Sequence, residues 1–92
     1  MRGRLPKAGQ YEGDGAVKSF DLGFKPVMVL LVNTEDGDVL ALHIDGMTAD
    51  TAIDIAAAVA SNANNAITLH SRGFSVGTDY SESAKTYFYV AF

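Results

Sequence analysis

The chain has no cysteine and no tryptophan, and only two prolines in 92 residues. Without cysteine, neither a disulfide nor a thiolate metal site can brace the core. No apolar run approaches the length of a membrane-spanning helix, and no signal-peptide hydrophobic region follows Met1. A soluble chain that does not use the usual secretory signal is expected. Histidine is scarce as well. His43 and His70 both fall inside strand-like segments, where a hydrogen-bonded sheet histidine is the ordinary state, so no metal and no cofactor is expected. Ser71, Ser75, Ser81 and Ser83 lack the context of a nucleophile elbow. The glycines of Gly13-Asp14-Gly15 and of 73–77 do not open a helix after a strand, as a phosphate-binding loop would. Glu35, Asp36 and Asp38 lack the spacing of a calcium loop and suit a solvated turn. Asn62, Asn64 and Asn65 read as turn formers, with recognition of sugar hydroxyls as the sharper alternative. The catalytic set is read as none, and an enzyme is not expected.

What is present is apolar. Hydrophobic residues make up 48% of a chain long enough for one domain, with a core near the lower limit of self-sufficiency. Small domains without cross-links gain stability by self-association or by docking on a larger surface. The net charge of −4 argues against nucleic acid as the main partner. Arg2, Arg4 and Lys7 crowd the first seven residues without an acid among them, so the rest carries about −7. The chain therefore divides into a flexible basic N-terminal arm, 1–8, and a single β domain, 9–92.

Within that domain, segments 10–12 and 16–22 flank Gly13-Asp14-Gly15, a turn tolerant of positive φ, and read as a half-buried hairpin. Phe20 and Leu22 share one face; Ser19 and Asp21 share the other. Pro26 makes a corner. Residues 27–32 (VMVLLV) read as a central strand buried on both faces, returning through Asp36-Gly37 into 39–44. Residues 48–65 are ambiguous. Alanine favours a short helix within 48–60, capped by Thr48 or Asp50, although Ile53 and Ile55 also fit strand alternation. Short strands at 66–70 and 74–76 and a polar loop at 79–84 lead to the terminal strand. The spacing predicts a mainly β fold, a small antiparallel β-sandwich or barrel with at most one short helix.

The last twenty residues carry most of the aromatics. Period-two alternation puts Tyr87, Tyr89 and Ala91 on one face and Phe88, Val90 and Phe92 on the other. A strand apolar on both faces requires two covers, and its terminal Phe92 is expected to be pinned in structure. The expected assignment sends Phe88, Val90 and Phe92 inward. Tyr87 and Tyr89 then become the self-association candidates, because tyrosine suits an interface.

Three blocks of the chain resemble a recurring domain of tailed-bacteriophage virion proteins. They are Gly9-Gln10-Tyr11-Glu12-Gly13-Asp14-Gly15 leading to Phe20-Asp21-Leu22-Gly23-Phe24-Lys25-Pro26, the apolar strand 27–32, and 67–79 followed by 85–92. The loop before the terminal strand has Glu82, Ser83 and Ala84 where relatives often carry Asn and Gly, and 48–65 has no counterpart. The resemblance implies a virion structural protein, and for a chain of this size a capsid decoration (cement) protein on the outer head shell. The major capsid protein and further copies of the chain, as a homotrimer, would then be its partners, without nucleic acid or membrane. A tail-fibre or receptor-binding module with saccharide affinity is the alternative. Arg2, Arg4 and Lys7 become the capsid-contact candidates, since a basic arm complements acidic groups on a neighbouring subunit.

Overall fold

In a computed structural model of the chain, residues 6–33, 39–56 and 59–92 are described; for 39, 55, 56 and 59–64 the backbone alone is considered. The described residues form nine strands: β1 (Lys7–Glu12), β2 (Lys18–Asp21), β3 (Met28–Asn33), β4 (Val39–Ile44), β5 (Thr51–Ala56), β6 (Val59–Asn64), β7 (Ile67–His70), β8 (Gly73–Val76) and β9 (Thr86–Ala91). All pairings are antiparallel, in the order β1-β9-β3-β4-β5-β7-β8-β2, with β6 hydrogen-bonded to β5 beside that path. The sheet curls on itself, and the expected small β fold is what the chain adopts. The one helical turn among the described residues is a 3-10 turn at Thr78–Tyr80.

Curling brings the two ends of the sheet order, β1 and β2, to either side of an aromatic seam. Tyr11 of β1 stacks on Tyr87 of β9 with centroids 5.1 Å apart, and meets Phe20 of β2 at 4.9 Å. Phe20 continues to Phe74 of β8 at 5.0 Å and to Tyr89 of β9 at 5.5 Å; Phe74 and Tyr89 meet edge-on at 5.2 Å. Such offset and tilted pairs add roughly 0.5–1.5 kcal/mol each beyond the burial of their area. Val29, Leu31, Ala41, Ala52, Ala66, Ile67, Val76 and Ala91 fill the remaining interior. Many are small, because a tightly curled sheet leaves little volume between its own walls.

Several expectations change here. The segments around Gly13-Asp14-Gly15 do not form a hairpin: β1 pairs with β9 and β2 with β8. The turn spends its hydrogen bonds on the loop before β9 instead. Gly13 N–H donates to the Lys85 carbonyl (2.9 Å), Gly15 N–H to the Ser81 carbonyl (2.6 Å), and Ala84 N–H to the Gly13 carbonyl (3.1 Å). A side chain at position 13 would run into the Glu82 backbone, so only glycine allows this approach. Residues 7 and 8 of the expected arm lie in β1.

The helix expected within 48–60 is replaced by β5 and β6, with residues 57 and 58 outside the described set. Asp50 adopts φ 64°, whereas a helix N-cap holds an extended backbone. Ala52 then points inward and Ile53 outward, so Ile53 and Ile55 carry the strand signal. Pairing with β4 and β6 outweighs alanine's intrinsic helix preference, which is worth only tenths of a kcal/mol per residue.

β3 is central, lying between β9 and β4, and β4 returns beside it as the expected neighbour, antiparallel to it. Their connecting turn, with Glu35, Asp36, Gly37 and Asp38, lies outside the described residues. β3 is not buried on both faces, however: Val29, Leu31 and Asn33 are sealed, while Val32 is 36% exposed.

Candidate interaction surface

The terminal strand faces the opposite way from the sequence expectation. Tyr87 is 1% exposed and Tyr89 packs on the core, while Phe88 and Phe92 are 41% and 39% exposed. The two tyrosines are therefore corrected from outward-facing contacts to members of the aromatic seam. Volume decides the orientation. The Tyr89 ring lies over Gly9 across the β1–β9 pair, and a side chain there would press within 2.6 Å of the Tyr89 hydroxyl. The tyrosines also find polar partners at the rim of the interior: Tyr11 Oη donates to the Tyr80 carbonyl at 2.8 Å, and Glu82 N–H donates to Tyr87 Oη at 3.1 Å. Phenylalanine in their places would leave these groups without those bonds.

Turning Phe88, Val90 and Phe92 outward adds them to a wider apolar grid. Directly opposite residues in antiparallel strands point to the same side. Val32 opposes Phe88 and Leu30 opposes Val90; on the other flank Met28 opposes Ile44, Leu30 opposes Leu42, and Val32 opposes Leu40. Leu42 in turn opposes Ile53 of β5. Three adjacent strands thus present outward rows that are apolar apart from Thr86 at the start of β9, with Phe92 just past its end and Ile53 extending the row. The grid ranges from half-buried to exposed, and no charged side chain interrupts it. At the adjoining corner, Val27 is exposed and Lys25 pairs with Asp45 at 3.5 Å. Backbone bonds hold that corner to the strand end: Val27 N–H donates to the Phe92 carbonyl (2.8 Å) and Phe92 N–H to the Met28 carbonyl (2.9 Å). Phe92 is pinned through its backbone, with its ring partly in solvent.

A second feature is a polar concavity of about 310 Å³ at one mouth of the curled sheet. It is lined by Asn33, Asp54, Tyr80, Glu82 and Tyr87 together with Thr78 and Asp79. Tyr80 Oη donates to Asp54 Oδ2 at 2.6 Å. Burial first, and then this carboxylate, push the Tyr80 hydroxyl far above the ordinary phenol range, so it stays protonated. Burial, and next to it Tyr87, act the same way on Tyr11.

The remaining candidates are dispersed. Arg2 and Arg4 lie outside the described residues, and Lys7 is the exposed first residue of β1. His43 is buried with Nδ1 2.7 Å from the Thr51 carbonyl, whereas His70 is exposed with Nε2 3.0 Å from Ser75 Oγ. Among the described residues no cluster of His, Asp and Glu could hold a metal ion. Asn65 forms a turn at φ 52°; the side chains of Asn62 and Asn64 are outside the described set.

Sequence reasoning missed the outward grid. Its signal was there as predominantly apolar runs in β3, β4 and β9, which put apolar residues on both strand faces. Comparison of the chain with protein-family models, curated proteins and solved structures finds no match in any of the three.

Proposed function

We propose that the chain is a bacteriophage capsid decoration (cement) protein, a structural module that acts by being held against other protein subunits rather than by catalysis. The observation that carries the docking role is the apolar outer grid of β9, β3 and β4, because contiguous exposed apolar surface marks interaction sites. The virion setting comes from the resemblance, whose blocks fall in β1, β2, β3, β7, β8 and β9. Most of these strands supply the aromatic seam, so the resemblance speaks for a shared β body. Arg2, Arg4 and Lys7 complete the proposal as contacts to acidic groups on the major capsid protein, where arginine pairs with carboxylates in bidentate fashion.

Copy number tests the proposal. Quantitative gel analysis of virions carrying the chain is expected to give hundreds of copies per particle, falling when Arg2 and Arg4 are both changed to serine. A handful of copies would overturn it and favour the second reading, a tail-fibre or receptor-binding module with saccharide affinity. That reading draws on the polar concavity, whose amide, carboxylate and phenol groups are the kinds that bind sugar hydroxyls.

A further inference from the structure

We infer that the outer grid of β9, β3 and β4 is covered by the same grid of a second copy of this chain, packed sheet on sheet across a two-fold axis. The inference rests on the reading that the module is held by docking, and it names the partner of that face.

Chemistry restricts the occupant first. The nine grid positions, Phe88, Val90, Phe92, Met28, Leu30, Val32, Leu40, Leu42 and Ile44, include no hydrogen-bonding or charged side chain; Thr86 of β9 and Gln10 of β1 share the outer face at its margin. Any partner that placed a charge or an unpaired polar group against them would bury it uncompensated. The matching surface must itself be apolar and free of charge. The grid itself answers this requirement, and an all-apolar patch meets its own copy without donor or acceptor mismatch.

Size agrees with this occupant. Strands about 4.8 Å apart, with outward residues about 6.7 Å apart along each, make a patch roughly 20 Å by 20 Å once side chains and Ile53 are counted. That is the apolar kernel of a standard interface of about 800 Å² per partner, the rest being polar rim. The rim is supplied at one corner by Lys25 and Asp45, which together carry both signs.

Symmetry favours two copies over the three implied by the resemblance. A two-fold contact joins one patch to itself, whereas a three-fold ring joins two unlike, complementary patches. The grid is a single continuous patch.

Sedimentation equilibrium over the micromolar range tests the inference on the full chain. The wild type is expected to be a dimer. Phe88→Glu is expected to weaken association about a hundred-fold or more, because the charge is buried without a partner. The double variant Phe88→Glu with Val32→Lys is the folded control. Positions 88 and 32 are directly opposite in register, so the new charges pair within one chain while still blocking the contact. It should be monomeric with the wild-type circular dichroism spectrum. A wild-type monomer, a trimer, or a dimer that survives in the double variant would each overturn the pairing. A wild-type monomer found in hundreds of copies per virion would sink this inference and leave the decoration reading standing. A dimer absent from the capsid would do the reverse.

Discussion

The two faces of β9, β3 and β4 are both largely apolar, with buried Asn33 and His43 as the polar members of the inner one, yet the fold treats them in opposite ways. Inward lie Tyr87, Tyr89, Ala91, Val29, Leu31 and Ala41, sealed by the chain's own curled sheet. Outward lie Phe88, Val90, Phe92, Met28, Leu30, Val32, Leu40, Leu42 and Ile44, of which Phe88, Phe92, Val32 and Ile44 are exposed and the rest half-buried. Hydrophobicity does not separate the faces; shape and hydrogen bonding do. The inner space is narrow, so it takes alanine and valine, and it takes large rings only where glycine opposite makes room or a hydroxyl can be satisfied. The outer face has no such limit and carries the bulky residues that lack polar atoms.

The largest effect should come from emptying the inner face. Tyr87→Ala removes a ring that is 1% exposed, stacked on Tyr11, and bonded through Oη to the Glu82 N–H. Loss of such a buried aromatic costs roughly 3–5 kcal/mol. That is a large share of the stability of a small domain. Urea unfolding followed by circular dichroism should show the midpoint collapse towards zero denaturant. A loss below about 1 kcal/mol would mean that Tyr87 does not carry the inner face.

This contrast also explains how far the sequence could be read. Strand positions from β2 to β4 and from β7 to β9 were legible, because turn residues bracket alternating or apolar runs. The β fold class followed from them. Pairing between distant strands was not legible at the Gly13-Asp14-Gly15 turn. A local hairpin signal cannot report that Lys85, Ser81 and Ala84 will take the turn's hydrogen bonds. The 51–56 segment was misread because alanine's helix preference is local, while the pairing that overrides it comes from β4 and β6. The outward grid was visible only as a surplus: strands apolar on both faces demand two covers, but period-two alternation cannot say which face is turned in. The polar concavity left no trace, since Asn33, Asp54 and Tyr80 come from three separated segments.

Alkali offers an intermediate and separable challenge to the same interior. Tyr11 and Tyr80 are both raised above the ordinary phenol value of 10.0, chiefly by burial. A group whose pKa is higher folded than unfolded adds stability that is fully present below the unfolded value and fades as pH rises through the folded one. Melting temperature is therefore expected to hold steady up to about pH 10 and to fall progressively above it. In the same range, the 295 nm absorbance of phenolate should lag behind that of an unfolded control until the chain melts. Full tyrosine titration at ordinary pH, with no loss of structure, would show that these hydroxyls are not sealed.

The smallest effect on the fold itself should come from the outer face. Phe88→Ser removes a ring of the same size class as Tyr87, from the adjacent position on the same strand. Its side chain is 41% exposed, and its cross-strand neighbour Val32 is 36% exposed, so water already reaches both. Replacing it forfeits partial burial and some strand preference, but it opens no internal cavity and strands no hydrogen bond. At protein concentrations too low for association, unfolding stability should drop by about 1 kcal/mol or less. At high concentration the gap between wild type and variant should widen, because association stabilises the wild-type chain by mass action and the variant lacks that contribution. The dependence on concentration separates a ring that holds the fold from one that holds a partner. A Phe88→Ser deficit as large as that of Tyr87→Ala, and independent of concentration, would place Phe88 with the core and dissolve the distinction between the two faces.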